Sequence, residues 1–219
     1  MNQAATIQKT IAHVKATLAG AEGGHDWHHT YRVWQAARHI AQEEQGADGF
    51  VVELAALLHD IADSKFHGGD EEIGPRRARA FLQSIGLEEP VIAQVEYIIA
   101  HISFKGGHGT AALTPELAIV QDADRLDAIG AIGIARTFNY GGFKNRPLYD
   151  PAIPPKPGMS KEEYKRSQAP TINHFYEKLL LLKDRMNTAT GKRMAERRHR
   201  FMEVFLEEFF REWEGDSRE

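Results

Sequence analysis

Residues 54–65 read LAALLHDIADSK, and the other segments of the chain can be arranged around this apolar and ionisable sequence. Its first half is apolar and contains small residues, a composition typical of a buried helix. His59 and Asp60 follow directly, and Asp63 lies one turn after His59 on the same helical face. Ionisable groups at the end of an apolar helix are costly to bury unless a divalent cation or similar charge compensates them. A lone His-Asp pair is also typical of a helix that ends in a loop, so the interpretation depends on further ligands.

The amino-acid composition limits which side chains can bind a metal ion and which classes of binding partner are expected. The 219-residue chain is 42% hydrophobic and 26% charged, which is ordinary for a globular protein with a sizeable core. It has 11 histidines and no cysteine, so imidazole and carboxylate groups remain as the strong metal ligands and disulfides are excluded. The formal net charge of −4 provides no basic field for nucleic acid. With no signal peptide and no membrane-length apolar run, we expect a soluble, cytoplasmic protein without a membrane or nucleic-acid partner.

Apolar residues recur at helical spacing along most of the chain. Asp26 is the expected N-cap of the second helix, and Thr114 followed by Pro115 starts a later helix that carries residues 117–136. No sequence repeat and no clear second domain interrupts the pattern. The other predicted helices cover residues 3–18, 25–45, 50–62, 71–85, 88–104, 171–188 and 192–213.

Two further polar side chains fall on apolar helix faces. His29 lies at the end of an apolar stripe and so points into the same core as His59, which favours a ligand over an ordinary core histidine. Asp124 shares a face with apolar neighbours, where an unpaired carboxylate would be costly. Asp122 and Asp127 face elsewhere and are interpreted as structural.

Residues 138–169 break the helical pattern with many prolines and glycines. Long irregular segments in compact domains are usually functional lids or disordered. Lys144 and Arg146, among aromatic neighbours, favour a lid over an anionic substrate; the alternative is an irregular excursion with incidental charges. Beyond this segment, His174 and Lys178 lie one turn apart on a predicted helix.

The inward-facing set is therefore two imidazoles and two carboxylates, from His29, His59, Asp60 and Asp124. Such a set suits Mn²⁺, Fe²⁺, Co²⁺, Ni²⁺ or Zn²⁺ better than the all-oxygen shell that Mg²⁺ prefers, and leaves room for water and a substrate oxygen. This arrangement resembles the HD-domain metal-dependent phosphohydrolases, whose signature is H…HD…D on a helical scaffold. The resemblance to the bacterial YpgQ/YedJ-type branch extends over nearly the whole chain, through HDWHHTYRV at residues 25–33, HDIADSK at 59–65, AHISF at 100–104, VQDADRLD at 120–127 and the stretch 174–191.

The resemblance implies an all-α fold, a single HD-type domain over residues 1–219. Its HD core covers about residues 20–135, the lid-like segment covers 138–169, and two C-terminal helices occupy 170–213. It also implies one divalent transition metal per chain, with Mn²⁺ first and Ni, Co, Fe, Zn or Mg as alternatives. The implied ligands are His29, His59, Asp60 and Asp124.

The family also suggests roles for neighbouring residues. Asp63 occupies the position of a catalytic acid that could orient water or protonate a leaving group, while Lys65 and His101 would add positive charge near the phosphate. His101 is the only obvious extra ligand, so a dinuclear site is disfavoured. Residues expected to bind the substrate are Arg32, Lys144, Arg146, His174 and Lys178.

The leading substrate, by analogy with this branch, is a nucleoside triphosphate cut to monophosphate and pyrophosphate. The pair Asp63-Ser64 replaces the Glu-Asp of alarmone hydrolases, which counts against that activity. The alternatives are a 5′-nucleotidase acting on nucleoside monophosphates, a di-iron oxygenase, and a non-catalytic nucleotide- or metal-binding module. A phosphorylated small molecule is the expected partner, and a homodimer is left open.

Overall fold

The computed structural model describes residues 2–20, 26–62, 70, 72–102, 112–160, 163 and 166–216. The regular elements in these ranges are all helical, so the all-α fold class is confirmed. None of the described helices combines the length and apolar character that crossing a bilayer requires. The helices are Gln3–Thr17 (α1), Trp27–Glu43 (α2), Gly49–Leu58 (α3), Ile73–Ser84 (α4), Glu89–His101 (α5), Pro115–Asp127 (α6), Gly130–Phe143 (α7), Asn173–Glu177 (α8) and Ala189–Trp213 (α9).

The chain divides into two compact units, Met1–Asp124 and Arg125–Glu219. The first contains α1 to α5 and most of α6, and the second contains α7 to α9. The expected single domain and its internal boundaries stay predictions.

Helix α3 is the centre of the first unit. It packs against α1, α2 and α5, and its residues from Leu54 to Leu58 are fully buried. Asp48 caps its start, since one carboxylate oxygen accepts from the amides of Phe50 and Val51 at 2.9 and 3.3 Å. The helix ends at Leu58 rather than at the predicted residue 62, so His59 and Asp60 stand just beyond its last turn.

Helices α2 and α3 are also joined by a polar contact. The indole nitrogen of Trp34 donates to a carboxylate oxygen of Glu53 at 2.8 Å, and Arg38 approaches the same oxygen at 3.4 Å. At the start of α2, Asp26 accepts from the amide of His29 at 2.9 Å, which confirms the predicted N-cap. These contacts fix the direction in which α2 presents its first turn to α3.

The helix predicted to carry residues 117–136 is two helices, α6 and α7. Gly130 adopts a φ of 76°, in the left-handed region that disfavours a side chain, and this turns the chain between them. A Cβ at this position would lie 3.0 Å from the side chain of Arg198 on α9. Helix α7 then continues to Phe143, so residues 138–143 are helical rather than part of the irregular segment.

The second unit also differs from the prediction around residues 171–188. The expected long helix is short α8 followed by two 3₁₀ turns, Leu179–Leu181 and Lys183–Arg185. The three-residue period of these turns buries Leu179 and Leu182 and leaves Leu181 exposed. The preceding segment bonds back to this region, because the amides of Thr171 and Ile172 donate to the carbonyls of Pro147 and Leu148 at 2.9 and 3.0 Å.

Candidate metal centre

Three helices of the first unit bring four polar side chains together. His29 belongs to the first turn of α2, His59 and Asp60 follow the last residue of α3, and Asp124 lies on α6. We refer to these residues as the four-residue cluster. They are the four that the sequence predicts as metal ligands, although the first and the last, His29 and Asp124, are 95 positions apart in the chain.

The distances within the cluster suit a single bound cation. The Nε2 atoms of His29 and His59 lie 3.3 Å apart. An Oδ1 atom of Asp124 lies 3.5 Å from Nε2 of His29 and 4.0 Å from Nε2 of His59, and Oδ2 of Asp60 lies 3.9 Å from Nε2 of His29. Two atoms bound to one ion at about 2.1 Å are separated by about 3.0 to 4.2 Å, depending on the angle between the bonds. All four distances fall in that interval. The ligand atoms of His29, His59 and Asp124 all lie within 4.8 Å of one another, and Asp60 is joined to this group by its distance to His29.

The orientation of His59 is fixed by the end of its own helix. Its Nδ1 lies 2.8 Å from the carbonyl oxygen of Ala56. A carbonyl oxygen only accepts hydrogen bonds, so Nδ1 carries the proton and the lone pair of the neutral ring is on Nε2, which faces the cluster. This is the arrangement by which metal-binding histidines are usually oriented.

Burial differs across the cluster. The side chains of His29 and His59 are 4% exposed, that of Asp60 is 16% exposed and that of Asp124 is 42% exposed. The two imidazoles therefore form the buried side of the site, and the carboxylate of Asp124 is accessible to solvent. Water or a substrate can approach a cation held here from that side.

The neighbouring acids on α6 have other surroundings. Asp122 is fully buried and Asp127 is 2% exposed. Asp127 accepts a hydrogen bond from Arg136 on α7, within the second unit. The structural interpretation of Asp127 agrees with this ion pair, but the sequence pattern does not identify Arg136 as its partner.

Of the three predicted catalytic residues, His101 lies within the described ranges. Asp63 and Lys65 lie outside the described residues. His101 is the last residue of α5, where its Nδ1 lies 2.7 Å from the carbonyl of Tyr97, so its Nε2 carries the lone pair of the neutral ring. Gln121, which the sequence reasoning missed, donates from Nε2 to the carbonyl oxygen of His101 at 2.9 Å and so ties α5 to α6.

The predicted substrate-binding residues fall in both units. Arg32 is half-buried on α2; burial lowers the pKa of its guanidinium, and the charge of Asp26 acts in the opposite direction. In the second unit, Lys144 lies 5.6 and 5.0 Å from the ring centres of Tyr140 and Phe143.

Three of these residues form a group within the second unit. Burial lowers the pKa of His174 to about 4, and the positive charges of Lys178 and Arg146 act in the same direction. The terminal guanidinium nitrogen of Arg146 donates to the carbonyl of Ser167 at 2.6 Å. His174 is thus neutral at physiological pH.

The family follows from comparison with known proteins. The sequence-family model for the HD domain matches residues 26–129, which include all residues of the four-residue cluster. The chain belongs to the HD-domain family and is a metal-dependent phosphohydrolase.

Its relatives cover almost its full length. It is 38% identical over 204 residues to the YpgQ protein of Bacillus subtilis, covering 92% of this chain and 91% of the relative. It is 29% identical to protein L803 of Acanthamoeba polyphaga mimivirus, covering 72% and 74% of the two chains. Among solved structures, an HD-superfamily hydrolase from Bacillus thuringiensis superimposes with a TM-score of 0.79 at 45% identity, over 97% of this chain and 99% of the other. The complex of B. subtilis YpgQ with ADP superimposes with a TM-score of 0.76 at 33% identity, over 97% of each chain.

Proposed function

We propose that this enzyme hydrolyses nucleoside triphosphates to nucleoside monophosphates and pyrophosphate, using one divalent cation held by the four-residue cluster. The observation that carries the proposal is the spacing of the cluster. The ligand atoms of His29, His59 and Asp124 lie 3.3 to 4.0 Å from one another, and Oδ2 of Asp60 lies 3.9 Å from Nε2 of His29. Of the four side chains, that of Asp124 is the most exposed. A set of this kind leaves positions for water and for a phosphoryl oxygen.

The choice of a nucleotide draws support from a relative. B. subtilis YpgQ has been solved in complex with ADP, and this chain resembles that structure over nearly its whole length. ATP contains the same base, sugar and diphosphate with one further phosphate. We therefore place the substrate of this enzyme in the nucleotide class, and we expect it to act in the cytoplasm.

The roles of the side chains follow from their environment. A cation at this site supplies Lewis-acid polarisation of a phosphoryl oxygen and a lower pKa for bound water. His59 is held in the correct tautomer by the carbonyl of Ala56, and Asp124 contributes negative charge at the solvent side. Asp63 orients the attacking water or protonates the leaving group, while Lys65 and His101 stabilise developing negative charge.

Five residues are proposed to bind the anionic groups of the substrate. Phosphoryl transfer depends mainly on positioning and electrostatic stabilisation, so cations outside the cluster contribute to the reaction. The neutral His174 acts as a hydrogen-bonding group rather than as a charge. The five are Arg32, Lys144, Arg146, His174 and Lys178.

The test is a turnover assay with product identification. The purified enzyme is incubated with Mn²⁺ and, separately, Ni²⁺, Co²⁺, Zn²⁺ or Mg²⁺ and a panel of nucleoside mono-, di- and triphosphates, and ³¹P NMR resolves the products. We expect pyrophosphate from triphosphates, with Mn²⁺ most effective. Orthophosphate released from monophosphates would instead identify a 5′-nucleotidase, and no release of any phosphate species with any metal would refute hydrolysis of nucleotides. The variants His59→Ala and Asp124→Asn serve as matched controls for contaminating phosphatases.

A further inference from the structure

A groove of about 570 Å³ opens between α1 and α4 in the first unit. Its walls come from His13 and Thr17 on α1 and from Arg77, Phe81 and Ser84 on α4, with Ile61 at one end. None of these residues belongs to the four-residue cluster or to the residues predicted to bind substrate. The volume is in the range of small-molecule sites in proteins.

One wall of the groove is a pair of stacked rings. The imidazole of His13 lies parallel to the phenyl ring of Phe81, with ring centres 3.9 Å apart and an angle of 7° between the planes. Burial lowers the pKa of His13 and so favours the neutral form of this imidazole. A flat, uncharged pair of rings is a surface on which a further planar ring stacks favourably.

Two hydroxyl groups in the lining of the groove can accept hydrogen bonds. The hydroxyl of Thr17 donates to the carbonyl of His13 at 2.9 Å, and that of Ser84 donates to the carbonyl of Phe81 at 2.6 Å. Each hydroxyl has a single proton, so both oxygens retain lone pairs that accept hydrogen bonds. Groups that donate to them include the exocyclic amino groups of nucleobases.

Arg77 provides a positive charge that the described protein does not neutralise. Its neighbours on α4 are paired: Arg76 binds Asp70, and Arg79 binds Glu89 and Glu96. Arg77 is exposed at the groove, and its side chain makes no ion pair or hydrogen bond with any described residue. A guanidinium in this state binds phosphate oxygens with good geometry.

We propose that this groove binds a nucleoside phosphate, with the base against the His13–Phe81 pair and the phosphate on Arg77. The stacked wall selects a planar ring, the two hydroxyl oxygens select amino groups on that ring, and the guanidinium selects an anion. The inference goes beyond the proposed reaction, because binding in the groove requires neither the cation nor turnover. Ile61 directly follows Asp60 in the chain, so an occupant also touches the segment that carries the cluster.

Calorimetric titration of the full chain tests the proposal. AMP, adenosine and inorganic pyrophosphate are titrated separately in the presence of EDTA, which removes binding that depends on a divalent cation. We expect Arg77→Gln to weaken AMP binding about tenfold, the usual effect of losing one charge-assisted hydrogen bond, and to leave adenosine binding unchanged. His13→Leu should weaken AMP and adenosine to a similar extent.

Arg76→Gln is the matched control, because it removes a neighbouring exposed arginine that is paired with Asp70 and does not line the groove. It should leave all three affinities unchanged, and circular dichroism confirms that each variant is folded. The proposal is overturned if AMP does not bind in EDTA, or if it binds Arg77→Gln as tightly as the wild-type protein. Failure of nucleotide hydrolysis leaves this result intact, since the titration measures no turnover.

The same variants distinguish whether the groove holds the substrate of the reaction or a second nucleotide. If the groove holds the substrate itself, AMP in Mn²⁺ binds with one molecule per chain and Arg77→Gln raises KM with little change in kcat. If it holds a second nucleotide, two molecules bind per chain. Arg77→Gln then weakens one of the two binding events about tenfold and leaves KM unchanged.

Discussion

The low pKa of His174 makes the stability of the protein depend on pH. Burial lowers this pKa from 6.5 to about 4, and the nearby charges of Lys178 and Arg146 contribute in the same direction. The unfolded chain therefore binds more protons than the folded chain between these two values, and the free energy of unfolding falls as the pH is lowered through this window. Well above pH 6.5 both states are neutral at this residue and its contribution is constant.

The size of the effect follows from the two values. One pKa unit corresponds to about 1.4 kcal/mol, so the complete loss across the window is about 3 kcal/mol. Between pH 7 and pH 5 the expected loss from His174 is about 2 kcal/mol. This is a large fraction of the stability of an ordinary domain.

Urea unfolding at pH 7 and pH 5 measures the prediction. His174→Gln should remove about 2 kcal/mol of the pH-dependent loss, whatever its effect on stability at pH 7. Lys178→Met removes one repulsive charge, so it should raise the pKa of His174 and reduce the loss by a smaller amount. The imidazole resonances of His174 give an independent value in an NMR titration. If His174→Gln loses as much stability between the two pH values as the wild-type protein, or if the resonances titrate near pH 6.5, the reasoning is wrong.

Three further predictions concern the cluster and its supports. Asp124→Asn should weaken Mn²⁺ binding at least tenfold in equilibrium dialysis because it removes a ligand charge. The control Glu203→Gln, on α9 and far along the chain, should leave Mn²⁺ binding unchanged. If Asp124→Asn binds Mn²⁺ as tightly as the wild-type protein, Asp124 is not a ligand. Gly130→Ala should destabilise the protein by about 1–2 kcal/mol in urea, because its φ of 76° and the adjacent Arg198 side chain both oppose a Cβ, and an unchanged midpoint would contradict the described turn. Gln121→Leu should lower kcat more than it raises KM, because it removes the hydrogen bond to the carbonyl of His101. Gln121→Asn should recover part of the activity. Wild-type kinetics in Gln121→Leu would show that this hydrogen bond is dispensable.

The sequence was sufficient for the features that local chemistry determines. Asp26 is a strong N-cap residue in front of an apolar stripe, and the structure places it in that role. His29, His59, Asp60 and Asp124 lie at the buried or inward ends of apolar patterns, where a shared compensating charge offsets the cost of their position. In the structure His29, His59 and Asp124 converge, and Asp60 lies beside His29. Their function as ligands remains a prediction that the dialysis experiment tests.

Features that depend on distant contacts could not be read from the sequence. The break between α6 and α7 occurs in a run of alanine, glycine and isoleucine, where the apolar period continues across Gly130 and gives no warning of its left-handed backbone. The pairing of Asp127 with Arg136 and the stacking of His13 on Phe81 each depend on how helices meet in three dimensions. Likewise, the four consecutive leucines from Leu179 fit an α-helix and a 3₁₀ turn equally well until their packing is known.

The bond from His59 to the carbonyl of Ala56 ties the length of α3 to the chemistry of the enzyme. An α-helix turns by about 100° per residue, so one inserted or deleted residue in α3 would rotate the His59 ring away from the other three residues of the cluster. The apolar side chains of α3 could still regain part of their packing. Only insertions or deletions close to a whole number of helical turns would preserve both the direction of the His59 ring and the packing of α3. This short helix is therefore the part of the chain in which we expect substitutions to be tolerated far better than changes of length.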